Sequence, residues 1–547
     1  MTGTARSRRR WRPFVALALG VGVVATGTAV ANADTTPPPP LSLVTTATEV
    51  TLTRYVYEFG SFFLDPNTGV YLIAGKDPFE IEVKRKSYAD PIVAQQVTTR
   101  NGRKTKVPLP AGMVTDFGGL KDFTTLTMTD ANGTDVVSGS QDFCPNTYET
   151  ARARPDAPDT TPYPADCFNG NPFQLGNVWG IQSGWTAAIA PRELEDLPDG
   201  TYQASIDIAQ KYRDHFKITG AGTNLTITIE SIYEGALSTA ERARGEAKVK
   251  AAQAAKAAQD AQPAAAGAAA GAGHDHAHLT EGDATQQASA YSPDLRPAAR
   301  RPETARSSAA LPKGPRPDLR SLPAWGIGLV DGADLGDVPG RKYIVFGATV
   351  WNAGTSPLVV DGFRRTGTDL MDAYQYFYDA KGKQVGSTNA GTMEWDKREG
   401  HLHWHFTDFA QYSLLTADKK EAVRSGKEAF CLVNTDAVDY TIPNAKVRPS
   451  NTDLSSSCGA NTAVAVREVL DIGNGDTYTQ FLPGQSFDVT DLPNGTYYIE
   501  VKANPSDRLA ELSTTNNTSL REVILSGSGD DRKLLVPAVH GLDGPTG

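Results

Sequence analysis

From Leu43 to Ile232, apolar and polar residues alternate in short runs such as Phe79-Glu80-Ile81-Glu82-Val83 and Leu225-Thr226-Ile227-Thr228-Ile229. Gly, Pro, Asn and Asp separate these runs. A period of two puts successive side chains on opposite faces, so the pattern predicts half-buried β-strands between turns. From residue 234 to 316 the alternation disappears. Ala/Glu/Lys/Arg-rich text with helical potential (236–262) gives way to Ala/Gly, a His tract and Pro/Arg/Ser. Such text cannot bury a core and reads as a tether. The strand pattern returns from Pro317 to about Leu525. The expected fold is all-β: two β-sandwich-like domains, residues 43–233 and 317–527, joined by a long Ala/Pro-rich, partly disordered linker over 234–316, with a loose tail over 528–547.

The two β regions repeat each other in order. Leu197-Pro198-Asp199-Gly200-Thr201-Tyr202 answers Leu492-Pro493-Asn494-Gly495-Thr496-Tyr497. Ser138-Gly139-Ser140-Gln141-Asp142-Phe143-Cys144 answers Ser425-Gly426-Lys427-Glu428-Ala429-Phe430-Cys431. Gly75-Lys76-Asp77-Pro78 answers Gly354-Thr355-Ser356-Pro357. A Pro-Asx-Gly turn alone is common chemistry. Three matches in one order, with the cysteines in step, point to a tandem duplication.

Residues 1–33 read as a signal peptide: Arg6, Arg8, Arg9, Arg10 and Arg12, an apolar run from Phe14 to about Val30, then Ala31-Asn32-Ala33. A Pro-rich spacer follows over 34–42. No later stretch is long and apolar enough for a span, so a secreted protein, extracellular or at the cell surface, with no stable membrane span after cleavage, is expected. The net charge is −10, and −15 once the five arginines of the leader are removed. That balance lacks the basic footprint of a nucleic-acid binder. Cys144, Cys167, Cys431 and Cys458 fall as two close pairs, and no CxxC metal motif occurs. Outside the cell they read as local disulfides, 144–167 and 431–458.

The sharpest constellation is Gly400-His401-Leu402-His403-Trp404-His405. On a strand, the three imidazoles share one face. Neutral imidazole suits Cu(II), Zn or Ni. In a flat strand His401 and His405 would stand ~13 Å apart, so one ion requires bending or convergent side chains. Phe406-Thr407-Asp408-Phe409 follows, without the nearby Glu a cupin would carry. His274-Asp275-His276-Ala277-His278 repeats the spacing within Ala/Gly text, where a flexible chelate would lose ordering entropy on binding.

The segment from Glu394-Trp395 through the triplet to Phe409-Ala410-Gln411-Tyr412-Ser413-Leu414-Leu415 resembles the copper-binding region of lysyl oxidases. Ser425 to Leu432 resembles the segment that bears the family's cofactor lysine. Asp476-Thr477-Tyr478, seven residues before Gln485, resembles the one that bears the cofactor tyrosine. Tyr497-Tyr498-Ile499 through Asn504-Pro505 to Glu511 and Thr515-Asn516-Asn517 resembles the family's C-terminus. The resemblance covers about residues 318–525. It implies copper on His401, His403 and His405, and a lysine tyrosylquinone made from Lys427 and Tyr478. It further implies an amine oxidase that converts protein or peptide lysyl groups, or small primary amines, to aldehydes with O2, releasing ammonia and hydrogen peroxide. Animal members carry Cys and His immediately before the triplet, where this chain has Asp396-Lys397-Arg398-Glu399, and they hold more disulfides. Asp408, Asp488 and Asp491 are candidates for the general base by proximity in sequence.

The first repeat has Ser140 at the place of Lys427, Trp185 near that of Tyr478, and Leu120-Lys121-Asp122 about where the histidines belong. Residues 43–233 are therefore expected to be a non-catalytic, degenerate copy. The alternative reading of the whole is an exported, non-enzymatic copper-binding or adhesion β-sandwich protein, which would need neither Lys427 nor Tyr478. A hydrolase built on the three histidines would leave that pair unexplained as well.

Overall fold

Along Gly200–Ile208, Tyr202, Ala204, Ile206 and Ile208 are buried while Gln203 and Asp207 face solvent. The same alternation along Gly495–Ala503 buries Tyr497, Ile499, Val501 and Ala503. These strands belong to a computed structural model. It describes residues 40–56, 62–100, 103–220, 222–233, 311–335, 337–379, 381–397, 402–425, 429–445, 456–479 and 485–544. The leader, most of the spacer, and most of the linker, including His274, His276 and His278, lie outside the described residues. Within them the chain is all-β, with a single short α-helix at Gln210–Phe216.

The repeat is visible in strand order. One sheet of the first region runs Phe62–Leu64, Glu49–Val56, Gly222–Tyr233, Gly200–Ile208, Leu120–Thr129, Asp135–Phe143. Its counterpart runs Lys533–Leu535, Thr518–Ser526, Gly495–Ala503, Ala410–Thr416, Glu421–Arg424. The matched turns are built alike. Tyr202 Oη donates to Pro198 O at 2.7 Å, and Tyr497 Oη to Pro493 O at 2.8 Å. A buried arginine caps each turn. Arg54 donates to Leu197 O and Asp199, and Arg532 to Leu492 O and Asn494. The two arginines come from opposite ends of their repeats, one before its turn and one after it.

A second pair of sheets shows what the later repeat adds. Gly176–Ile181, Phe79–Lys84, Val93–Arg100 and Arg103–Pro108 match Ala465–Leu470, Leu358–Arg364, Leu370–Tyr378 and Gln384–Trp395. The later sheet then continues through Trp404–Thr407 and Ala429–Phe430. The first of these strands carries His405, and the second follows directly on the Lys427 segment.

Each region has its own core, and the described residues from 40 to 544 fall in one compact unit. A further cluster joins the regions: Phe173 from the first packs with Leu322, Trp325, Trp351 and Val438 of the second. Both expected disulfides form, Cys144–Cys167 and Cys431–Cys458. The fold departs from the sequence reading at the edges. The first strand begins at Leu41, within the expected spacer. Arg316 O, expected in the linker, accepts from Thr355 N at 2.8 Å. The expected loose tail is packed instead. Lys533–Leu535 pairs with Thr518–Ser526, and Val539 and Leu542 lie against the shared cluster.

Candidate active site

The histidine segment leaves the flat strand geometry before its last residue. The strand begins at Trp404, and Leu402–His403 stands outside the ladder. Trp404 N donates to Cys458 O at 3.0 Å, and Asp396 N to His403 O at 3.1 Å. Trp404 is fully buried. Its ring meets Trp395 at 5.8 Å, and its Nε1 donates to Ala460 O at 3.1 Å. Anchoring that face leaves His403 and His405 on the other, where the bend brings their Nε2 atoms to 2.9 Å. His405 is fully buried. His401 lies outside the described residues, as does Lys427.

Asp396, which carries no metal-ligand signal in the sequence, lies beside His405. Its Oδ2 stands 3.3 Å from His405 Nδ1. A carboxylate at one ring nitrogen holds a proton there and leaves the lone pair of the other for a metal. Two imidazoles whose Nε2 atoms face each other are the donor type a metal ion takes, so the pair fits a metal by its chemistry. Among the described residues no cluster reaches three ligands.

The described residues on either side of Lys427 are held in place. Ser425 N donates to Tyr412 O at 3.0 Å. Ala429 and Phe430 pair with Thr407 and Phe406, directly after His405. Phe430 then meets the Tyr478 ring edge-on at 4.7 Å. Tyr478 is 1% exposed, and its Oη donates to Cys431 O at 2.9 Å. Gln485 Nε2 donates to Tyr478 O at 2.6 Å and to Phe346 O at 2.8 Å, which gives the seven-residue spacing a structural reason. The Cys431–Cys458 disulfide ties these parts together. The carbonyl of one half-cystine holds the Tyr478 phenol, and that of the other holds the histidine strand.

The acid candidates are engaged elsewhere. Asp488 and Asp491 both pair with Arg341, at 2.5 and 3.1 Å. Burial pushes the Asp488 carboxyl up, but the bonds from Arg341 and Thr490 outweigh it and leave it below the usual range. Asp408 adopts a left-handed backbone and pairs with Arg508 at 3.5 Å.

In the first repeat, Leu120 is buried, and Lys121 pairs with Asp116 and Asp142. Ser140 donates to Asp122. The equivalence of Trp185 with Tyr478 needs correction. Thr186 pairs with Ile73, and Ile189 N donates to Val70 O. Carried one step further, that register puts Ala190 opposite Gly69, where Tyr478 stands opposite Ala348.

A sequence model of the family "Lysyl oxidase" matches residues 374–530. That span includes all five positions singled out above. Residues 374–530 form a domain of the lysyl oxidase family. Among curated relatives, protein-lysine 6-oxidase of Sus scrofa is 27% identical over 228 residues, 39% of this chain and 85% of that protein. Protein-lysine 6-oxidase of Homo sapiens is 31% identical over 135 residues, 24% of this chain and 28% of that protein. Lysyl oxidase homolog 4 of Mus musculus is 30% identical over 129 residues, 23% of this chain and 15% of that protein. The match to the last two thus spans under a third of their lengths.

Proposed function

We propose that this chain is an exported copper- and quinone-dependent amine oxidase of lysyl oxidase type, acting on lysyl side chains or small primary amines. One observation carries the reading: a single disulfide-braced cluster gathers the paired His403 and His405, the flanks of Lys427, and the buried Tyr478. His401, His403 and His405 would hold copper, and Lys427 and Tyr478 would supply the quinone. Copper with O2 supplies the oxidising power to make a quinone from tyrosine, and that quinone is the electron sink by which an amine becomes an aldehyde, with ammonia and hydrogen peroxide released.

The chain's own side chains prepare this chemistry. Asp396 Oδ2 stands beside His405 Nδ1, where a carboxylate would favour the tautomer that leaves Nε2 for the metal. Cys431 O accepts the phenol proton of Tyr478 in a hydrogen bond, and Phe430 fixes the ring plane. Trp404, Phe406 and Phe430 are fully buried beside the site and exclude water from it. The degenerate repeat at 43–233 takes no part as a metal or quinone site.

Peroxide release from a lysyl peptide or cadaverine, blocked by phenylhydrazine, tests the reading. Lys427→Ala and Tyr478→Phe are each expected to abolish turnover and quinone absorbance while copper stays bound. Turnover by either variant contradicts the cofactor assignment. Copper binding with no quinone in the wild type favours the non-enzymatic alternative.

A further inference from the structure

The first β region reaches the strand that carries Tyr478, and it does so with a buried polar side chain. Asn171 is 1% exposed. Its Nδ2 donates to Thr349 Oγ1 at 3.0 Å and to Asp436 Oδ2 at 3.3 Å. Its Oδ1 accepts from Phe173 N at 3.0 Å, which closes its own turn. Thr349 shares a hydrogen bond with Thr477 Oγ1 at 2.6 Å, and Thr477 Oγ1 also donates to Asp436. Thr477 N donates to Thr435 Oγ1 at 2.7 Å. Thr477 is the residue before Tyr478, and on a strand its side chain faces the opposite way. The network therefore holds the back of the Asn474–Tyr478 strand, while Phe430 and Cys431 hold the Tyr478 ring on the front.

The loop that delivers Asn171 is itself fastened. Cys167, just before it, is disulfide-bonded to Cys144. Arg85 donates to Gln174 O at 2.9 Å and to Pro172 O at 2.5 Å. Leu175 N and Gly176 N donate to Val438 O at 2.8 and 3.0 Å, and Tyr440 N returns a bond to Gly176 O at 3.0 Å. A Cβ on Gly176 would come within 2.4 Å of Asp439 Oδ1, so a side chain there would displace the Asp439 carboxylate. Phe173 fills the apolar cluster beside it.

We infer that the degenerate repeat serves as a built-in positioning element: its Asn171 loop fixes the strand bearing Tyr478 and so sets the phenol for conversion to the quinone. This rests on the function proposed above. Asn171 acts through Thr349, Asp436 and Thr477, and is a positioning residue.

The test uses the full chain as wild type, Asn171→Ala, Thr477→Val and Thr477→Ser. In metal-free protein, hydrogen exchange at Gly475 to Tyr478 is expected to rise at least about ten-fold in Asn171→Ala and Thr477→Val, with Thr477→Ser near wild type. Exchange along Gly495–Ala503 stays unchanged, which separates local loosening from unfolding. After Cu(II) sulfate and air, the same two variants are expected to bind copper like wild type. They form phenylhydrazine-reactive quinone at least about ten-fold more slowly, with turnover per quinone unchanged. Wild-type exchange at Gly475 to Tyr478 in Asn171→Ala overturns the inference, as does quinone formation there at the wild-type rate. If wild type forms no quinone, the proposed function falls, and the exchange measurement alone decides the positioning role.

Discussion

Phe430 is the side chain through which the histidine strand, the lysine segment and Tyr478 meet, so Phe430→Ala is the most informative single perturbation of the site's packing. The ring is fully buried. It makes edge contacts to Tyr478 at 4.7 Å, Phe409 at 5.7 Å and Tyr412 at 5.8 Å. Each aromatic pair contributes about 0.5–1.5 kcal/mol beyond its buried area. Truncation of a core phenylalanine to alanine costs about 3–5 kcal/mol, because the transfer term and the residual cavity add. The three contacts place this site toward the upper part of that range. The assay is urea unfolding followed by tryptophan fluorescence, since Trp395 and Trp404 lie beside the site. A loss of that size moves the midpoint by about 1–2 M at an unchanged slope. Phe430→Leu keeps apolar volume but loses the ring contacts, and should fall between alanine and wild type. A loss under about 1 kcal/mol for Phe430→Ala would refute the claim that this ring is the keystone of the cluster.

Asp396→Ala should weaken copper binding about 10–100-fold in a chelator competition, since partners of metal-bound histidines carry that much affinity; wild-type affinity would remove Asp396 from the site. Double replacement of Cys431 and Cys458 by serine opens a loop closed across 27 residues. It should cost about 2–5 kcal/mol in denaturant unfolding, and a cost near zero would show that the bridge does not brace the site. The Asp331 carboxyl is held down to about 2 by bonds from the Ala333 and Gly340 amides and from the Lys342 ammonium. A lowered folded value means this stabilisation is complete above the unfolded value of about 3.9 and is lost as pH falls toward 2. Asp331→Asn should flatten the acid limb of the stability profile in that window, and an unchanged limb would contradict it.

Much of the fold was legible because it is local. Alternation along Phe79–Lys84 and Gly200–Ile208 gives strands, and the Pro-Asx-Gly turns mark the starts of Gly200–Ile208 and Gly495–Ala503. Cysteines close in sequence paired as their spacing suggested. The Arg103–Pro108 strand is exposed along its whole length, so no burial pattern announces it. The packed tail was missed because Arg532 and Leu542 find their partners far along the chain, at Leu492 and at Trp351's cluster. At the site, residue types and order single out His401, His403, His405, Lys427 and Tyr478 as candidates, of which His403, His405 and Tyr478 lie among the described residues. Asp396 was overlooked because one carboxylate before a histidine triplet carries no periodic signal, although its place where relatives have other polar residues was a hint. The grip of Asn171 on Asp436 spans 265 residues and leaves no trace in local pattern.

The most direct test of the account is peptide mapping by mass spectrometry of the full chain after incubation with copper and air. The account predicts one cross-linked species that joins the peptide containing Lys427 to the peptide containing Tyr478, absent from Tyr478→Phe. Recovery of both peptides separate and unmodified, from protein that has bound copper, would contradict it.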